Sequence, residues 1–222
     1  MAEPLVLALD TSTTVAVGLA RGGEVLGTAG VADRRAHVEQ LTPLVQRCLA
    51  DAGLRPADVD QLVVGLGPGP FTGLRVGIVT AQVLASALRR PWRGVCSLDV
   101  LARQHFVEHR DADDVGRAFV VATDARRREV YWARYDADGT RVEGPRVSAP
   151  GEVPRLPVVG PAADLYPDLL DGVLGPRTLD AGVLAAHGPD LPDAGREPLY
   201  LRRPDAAEPT RRKSVLLPRG PR

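Results

Sequence analysis

A loop of glycine and proline, Gly-Leu-Gly-Pro-Gly-Pro-Phe-Thr-Gly at 65–73, constrains the fold of this chain more than any other segment. It follows an apolar run that begins at Leu62 and leads into a helical pattern that extends from about 73 to 88. Such a loop can also receive an anion, because free backbone N–H groups and the positive end of the helix dipole face it. The loop therefore indicates an α/β layer and a candidate phosphate site.

The segments around the loop support an α/β layer. Apolar runs at 5–9, 15–20 and 24–30 are typical of strands, and a glycine turn joins the last two. Residues 37–52 place apolar side chains at helical spacing, and a further strand is predicted at 93–96. This order of hairpin, helix, strand, loop and helix predicts an α/β layer rather than a barrel or a bundle.

The rest of the chain suggests a second, smaller domain. Residues 97–110 are predicted to form a helix that leads out of the first domain, toward an acidic segment at 111–114. Apolar runs at 118–123 and 130–135 predict paired strands, whereas 144–198 is rich in Pro and Gly and indicates many loops. The predicted division is therefore a first domain at 1–110, a second domain at 111–203 and a flexible basic tail at 204–222.

Composition excludes several classes of protein. Of the 222 residues 44% are hydrophobic, and no apolar run approaches the ~20 residues of a bilayer span. The residues before the first strand contain no basic flank and no small-residue cleavage site, so we expect no secretory signal. Cys48 and Cys96 lie in apolar runs, which indicates buried thiols rather than a disulfide or a zinc site. The formal net charge is zero, unlike the net basic charge of most nucleic-acid-binding proteins. We expect a cytoplasmic protein without a membrane span, in which any RNA contact is local.

Several residues near the loop are candidates for a phosphate cleft. The glycines let a ligand approach the backbone closely, Thr72 can cap the next helix, and the segment 10–12 offers a carboxylate and hydroxyls of the kind that position a phosphate or its metal. The same residues can equally form only a tight strand-to-helix turn, with Asp10 and Thr72 as local caps. The candidates are Asp10, Thr11, Ser12, Gly67, Gly69, Thr72 and Gly73.

Motifs spaced along the chain resemble those of the bacterial TsaB (YeaZ) family, and they occur in the same order. They are Leu-Ala-Leu-Asp-Thr-Ser at 7–12, the stretch 65–77, Asp-Ala-Arg at 124–126 with Glu-Val-Tyr-Trp-Ala at 129–133, and the closing Glu-Pro-Leu-Tyr-Leu-Arg at 197–202. The resemblance implies an actin-like ATPase fold (ASKHA, ribonuclease H-like) with two domains, the second abbreviated. It also implies a role in forming threonylcarbamoyladenosine at position 37 of tRNAs that read codons beginning with A.

The resemblance further implies which partners the chain has. In this family the related subunit TsaD carries the catalytic metal and the small ATPase TsaE joins the complex, so this chain is expected to be a non-catalytic partner subunit. It would pair with a TsaD-like subunit, or with a second copy when alone, and would meet tRNA only through the complex. No cofactor is expected to bind tightly to this chain alone, whereas the assembled complex can bind ATP or ADP.

Two family features are missing here. The His-x-x-x-His pair that holds the TsaD metal would fall at Ser97 and Leu101, and neither side chain replaces an imidazole ligand. Actin-like ATPases have a second Asp-x-Gly phosphate loop, but here Asp124 is followed by Ala125-Arg126-Arg127, without the glycine. We interpret Asp124 as part of a structural turn rather than as a face for a nucleotide or a partner.

The resemblance places the partner interface on the two helices at 37–52 and 73–88. Small side chains recur every four residues in the second helix, which lets another helix approach closely, either that of a partner or the helix 37–52 of the same chain. The larger Val76, Val79, Val83 and Leu88 are then expected to face the sheet. The interface candidates are Leu41, Leu44, Cys48, Gly77, Ala81 and Ala85.

Two other functions compete with the partner role. Asp10 and the glycine loop also fit an actin-like ATP-binding enzyme, an ATPase or a kinase, that acts alone. His105-Phe106-Val107-Glu108-His109 fits H-x-x-E-H, the motif of inverted zinc peptidases. No convincing third ligand follows this motif, which favours two exposed histidines at a helix end.

Overall fold

The structure is a computed structural model that describes residues 3–31, 37–109 and 116–202. The side chains of residues 37–39 and 173 are not part of this description. The predicted domain boundary after residue 110 and the predicted tail at 204–222 lie outside the described residues.

The first sheet has five strands in the order β3-β2-β1-β4-β5. The strands β1, β2 and β3 are antiparallel neighbours, while β4 and β5 run parallel to β1. Each predicted element is present, and its ends lie within two residues of the prediction. The elements are β1 (Leu5–Asp10), β2 (Val15–Arg21), β3 (Glu24–Val31), α1 (His37–Asp51), β4 (Gln61–Gly65), α2 (Phe71–Leu88) and β5 (Trp92–Val95).

The second sheet repeats this topology in a shorter form. Its order is β10-β9-β6-β7-β8, with an antiparallel meander β6-β7-β8 and two parallel strands beside β6. The elements are α3 (Ser97–Glu108), β6 (Phe119–Arg126), β7 (Glu129–Tyr135), β8 (Arg141–Ser148), β9 (Val158–Val159), α4 (Ala162–Leu165), β10 (Val173–Leu174) and α5 (Ala181–His187). Helix α4 occupies the place of α2 but has 4 residues instead of 18. The chain thus has the duplicated two-domain fold of actin-like ATPases, and its second domain is abbreviated.

Both faces of the first sheet are covered, as the unbroken burial of β1 requires. Successive side chains of a strand point to opposite faces. Leu5, Leu7 and Leu9 therefore pack toward α1 and α2, while Val6 and Ala8 join a core on the other face.

The two sheets share that inner core, because the helices α3 and α5 each cross to the other sheet. Helix α5 packs on β1, β2 and β3, whereas α3, which follows the first sheet in sequence, packs on β6, β7 and β9. The two helices also contact each other. The inner core combines Val63 of the first sheet with Val121 of the second.

Helix α2 is long and apolar enough to cross a membrane by length and composition, with a mean hydropathy of 1.4 over 18 residues. The expectation that no apolar run approaches this length was therefore wrong. A helix that packs on a sheet also passes this test, and α2 contacts β4, β1 and β5. The buried residues make up 28% of the helix and lie on the side of these strands; they are Leu74, Gly77, Ile78, Ala81 and Ala85.

Candidate functional site

The carboxylate of Asp10 is the centre of a buried hydrogen-bond cluster at the end of β1. Only 1% of Asp10 is exposed. Its Oδ1 accepts hydrogen bonds from the backbone N–H of Ser12 at 2.8 Å and from the Ser12 hydroxyl at 2.6 Å. Its Oδ2 accepts one from the hydroxyl of Ser97 at 2.6 Å, and that hydroxyl in turn accepts one from the backbone N–H of Gly67 at 3.1 Å. The cluster therefore joins β1, the glycine loop and the start of α3.

Every fourth residue from 65 to 77 is a glycine, and each of these glycines faces the segment 10–12. A Cβ at Gly65 would overlap with Oδ2 of Asp10, and a Cβ at Gly69 would lie 2.7 Å from a backbone carbonyl oxygen of the segment. A Cβ at Gly73 or at Gly77 would meet Thr11. Distances below 3.0 Å are shorter than real Cβ contacts. The four glycines, Gly65, Gly69, Gly73 and Gly77, therefore make room for the chain's own segment 10–12.

The predicted phosphate residues are thus brought together, but they contact one another. The Thr11 hydroxyl, for example, donates to the carbonyl oxygen of Gly73 at 2.8 Å. Gly67 has the positive φ of 92° that a residue with a side chain rarely adopts, so it is needed for the turn itself. This geometry favours the interpretation as a tight strand-to-helix turn over that of an open phosphate cradle.

The predicted role of Thr72 as a helix cap is wrong. Helix α2 begins at Phe71, its N-cap residue is Pro70, and no side chain caps it. Thr72 is exposed. The proline fixes the extended backbone that enters the helix, so the helix begins two residues earlier than predicted.

Burial raises the pKa of the Asp10 carboxyl above its ordinary value of 3.8, although the hydrogen bonds from Ser12 and Ser97 oppose this shift. Because the pKa is higher in the folded state, the folded protein binds the proton more tightly, and the free energy of unfolding decreases as the pH rises through the interval between the unfolded and folded pKa values. We expect Asp10→Asn to remove this decrease. Urea unfolding of both proteins between about pH 4 and pH 7 measures it.

Asp51→Asn, the same substitution at an exposed aspartate, is measured in parallel as a control for the loss of one carboxylate. Parallel pH profiles for the wild type and Asp10→Asn would contradict the prediction.

The two positions that correspond to the TsaD metal pair have structural roles. The hydroxyl of Ser97 binds Asp10, and Leu101 is buried in the core between the two sheets. Among the residues that the structure describes, no three His, Cys, Asp or Glu side chains are grouped so that they could hold a metal ion.

The H-x-x-E-H motif lies on α3, but its first histidine is not exposed as predicted. His105 is 1% exposed, because α3 packs against the second sheet there. Its ring lies 5.2 Å from that of Phe119 and 5.7 Å from that of Phe106, between ring centroids. Nδ1 of His109 lies 3.2 Å from the carbonyl oxygen of His105. The first histidine of the motif is therefore part of an aromatic core.

Asp124 lies near the end of β6, just before the turn that joins β6 to β7. Its Oδ1 accepts a hydrogen bond from the backbone N–H of Arg126 at 2.8 Å, and its Oδ2 lies 3.4 Å from Nη1 of the same arginine. These contacts support the interpretation of Asp124 as a structural turn residue.

The residues predicted for the partner interface are buried in their own domain, so this residue assignment is wrong. The α1 members pack toward β2 and β3, and the α2 members toward the sheet and the segment 10–12. Instead Val79 and Val83, which were predicted to face the sheet, are 53% and 61% exposed. Small side chains let α2 lie close to the sheet, and the valines are left outside. The buried residues are Leu41, Leu44, Cys48, Gly77, Ala81 and Ala85.

The exposed side of α2 forms a continuous surface, which we call the outer face of α2. At its N-terminal end the ring of Phe71 stacks on that of Tyr200, with 4.7 Å between centroids. The guanidinium of Arg75 lies 4.0 Å from the centre of the Phe71 ring, and its Nε donates to the Tyr200 hydroxyl at 3.0 Å. The outer face consists of Thr72, Arg75, Val79, Gln82, Val83 and Ser86.

This aromatic cluster was missed by the sequence analysis. Its members lie in two of the motifs that carry the family resemblance, at 65–77 and 197–202. This position within the motifs was the signal in the sequence that could have identified them. Their contact over a separation of 125 residues along the chain exists only in the folded protein.

Comparison with known proteins places this geometry in a family. The sequence model of TsaD, tRNA N6-adenosine threonylcarbamoyltransferase, matches residues 29–167. An uncharacterized protein of Mycobacterium tuberculosis is 48% identical over 208 residues, which cover 90% of this chain and 93% of that protein. The tRNA threonylcarbamoyladenosine biosynthesis protein TsaB of Escherichia coli is 36% identical over 134 residues, 60% of this chain and 55% of TsaB. The match thus spans about half the length of that relative.

Solved structures agree with the sequence comparison. A Pseudomonas aeruginosa protein described as similar to the peptidase YeaZ has a TM-score of 0.71 and 29% identity, with 90% of this chain and 100% of that chain covered. The YeaZ protein of the same species has a TM-score of 0.69 and 28% identity, with coverage of 84% and 91%. The chain therefore belongs to the family that the TsaD model defines and, within it, to the TsaB, or YeaZ, group.

Proposed function

We propose that this chain is the TsaB-type partner subunit of a complex that forms threonylcarbamoyladenosine at position 37 of tRNAs reading codons that begin with A. The observation that carries this proposal is the outer face of α2. It exposes Val79 and Val83 one helical turn apart, beside the cluster of Phe71, Arg75 and Tyr200. Arginine and tyrosine at the edge of an apolar strip are typical of residues that contribute most to binding a protein partner.

The proposed partner is a TsaD-like subunit that presents an apolar helix face. Val79 and Val83 are too few to bury a large apolar area alone, so the neighbouring exposed part of α1, which includes Thr42, Gln46 and Ala50, is proposed to take part. Without the partner, the same face would bring two copies of this chain together.

We assign catalysis to the TsaD-like subunit. Support comes from Asp10, whose two carboxylate oxygens are both bound within the chain, and from Ser97 and Leu101 at the positions of the metal pair. A TsaE-like ATPase joins the proposed complex, ATP or ADP would bind only in the assembly, and tRNA would be held through the complex. A cytoplasmic location belongs to the same proposal.

Reconstitution tests the proposed function. The chain is mixed with a TsaD-like and a TsaE-like subunit, and complex formation and threonylcarbamoyladenosine in tRNA are measured. We expect a complex with the TsaD-like subunit and a modification rate that depends on this chain. Absence of both a complex and stimulation would refute the proposal.

Calorimetry with ATP and magnesium on the isolated chain separates this proposal from that of an ATP-binding enzyme acting alone. We expect no binding heat from the chain by itself, because the segment 10–12 fills the space beside the glycines. Tight binding of ATP would favour the enzyme.

A further inference from the structure

The hairpin turn between β6 and β7 has an unusual composition for its backbone conformation. Arg127 and Arg128 are the two residues of the turn, and their φ angles are 54° and 62°. Positive φ at both positions is characteristic of a type I′ turn, which strongly prefers Asn-Gly. Arg126, immediately before them, also has a positive φ of 64°. The chain therefore keeps three consecutive arginines in a conformation that other residues adopt more easily.

All three arginines are exposed at the tip of the hairpin. Two acidic residues lie nearby, and each is in an ion pair: Asp124 with Arg126, and Glu129 with Arg202. Counted together, the three arginines of the tip, Arg202 and these two carboxylates have a formal charge of +2, from four arginines and two carboxylates.

Arg202 adds a further arginine beside the tip. Its Nη1 donates to the carbonyl oxygen of Ala125 at 3.0 Å, which holds residue 202 against the hairpin. In the sequence, residues 203–222 then contain six basic and two acidic side chains.

We propose that the tip of the β6–β7 hairpin, residues 126–128, binds the phosphate backbone of RNA. The planar guanidinium groups match phosphate oxygens with paired hydrogen bonds, and an exposed hairpin tip can approach a polynucleotide without obstruction by the sheet. Such contacts attract the backbone without recognising a base sequence. The choice of RNA, and of tRNA as the probe, rests on the proposed function.

Fluorescence anisotropy of labelled unmodified tRNA, titrated with the full chain at several salt concentrations, tests this inference. The variant Arg127→Asn/Arg128→Gly removes two charges and installs the preferred residues of a type I′ turn, so the fold is retained. We expect its affinity at about 50 mM salt to be roughly tenfold lower, and the slope of log K against log salt to be smaller by about 1 to 2. The melting temperature should not decrease.

Arg89→Gly is a matched control. Arg89 is also an exposed arginine with positive φ, at 53°, but it ends helix α2 of the first domain. Its replacement should leave the affinity for tRNA unchanged. An equal loss with this control, a hairpin variant that binds like the wild type, or a wild-type chain that does not bind tRNA would overturn the inference.

Two further measurements distinguish RNA binding at the hairpin tip from binding to a membrane surface or to the partner subunit. If the hairpin variant loses binding to vesicles containing phosphatidylserine but keeps its affinity for tRNA, a membrane surface is the ligand and the RNA inference is overturned. Pairing of the hairpin variant with the TsaD-like subunit is measured in parallel. If the hairpin variant pairs with the TsaD-like subunit and binds tRNA as tightly as the wild type does, only the RNA inference is refuted. Failure of the wild-type chain both to pair and to stimulate the modification would refute the proposed function.

Discussion

Gly65→Ala is expected to destabilise the protein by at least about 3 kcal/mol. The new Cβ would overlap with Oδ2 of Asp10 and would lie 2.7 Å from the hydroxyl oxygen of Ser97. Neither atom can move away freely, because Asp10 and Ser97 are buried and bound to each other and to the loop. Relief of the overlap would therefore break hydrogen bonds of a buried carboxylate, which is costly. Urea unfolding at neutral pH measures the effect.

Two glycine variants give this prediction a scale. At Gly151 an added Cβ meets no atom within 4 Å, so Gly151→Ala should change the free energy of unfolding by less than about 0.5 kcal/mol. Gly77→Ala should lie between the two, because the new Cβ would meet a side chain, that of Thr11. If Gly65→Ala were as stable as Gly151→Ala, the closed cluster around Asp10 would not exist in solution.

The double change Val79→Arg/Val83→Arg is expected to weaken pairing with the TsaD-like subunit at least about a hundredfold, or roughly 2.7 kcal/mol. Both side chains lie on the outer face of α2, and an apolar interface cannot accommodate two unpaired guanidinium groups without loss of their hydration. The fold should persist, because both positions are more than half exposed. A binding titration with the TsaD-like subunit and a thermal unfolding curve measure the two quantities.

Controls at other positions show whether the effect belongs to this surface. Val142 is 47% exposed on β8 of the second sheet, so Val142→Arg should leave pairing intact. Ala81 belongs to the same helix but is 0% exposed, so Ala81→Arg should unfold the first domain instead of acting on the interface. Wild-type pairing by the double valine variant would place the partner on another surface.

The glycine loop shows how a motif that suggests phosphate binding can have a structural role. Its glycines at 65, 69, 73 and 77 face Asp10, Thr11 and Ser12, and these residues fill the space beside the backbone. Because the residues on this side of α2 are small, the helix also packs closely on the sheet. This packing leaves Val79 and Val83 exposed, so the loop and the proposed interface have one physical cause.

Local patterns in the sequence determined the elements of this protein. Strands and helices have periods of 2 and 3.6 residues, and glycine and proline interrupt them, so the elements of the first domain, their order and the abbreviation of the second domain follow from the printed residues. The motifs at 7–12, 65–77 and 197–202 also carried the family resemblance. Each of these features depends on residues that are close together along the chain.

Only the tertiary structure decided which sides of those elements are buried. Helix α2 has a side of small residues and a side of valines, both of them non-polar, and its periodicity does not show which one faces the sheet. The answer depends on the contacts of α2 with β4 and of its glycines with the segment 10–12, which leave Ala81 buried and Val83 exposed. For the same reason the burial of His105 against the second sheet, and the hydrogen bonds of Asp10 with Ser97, 87 residues away, required the folded chain.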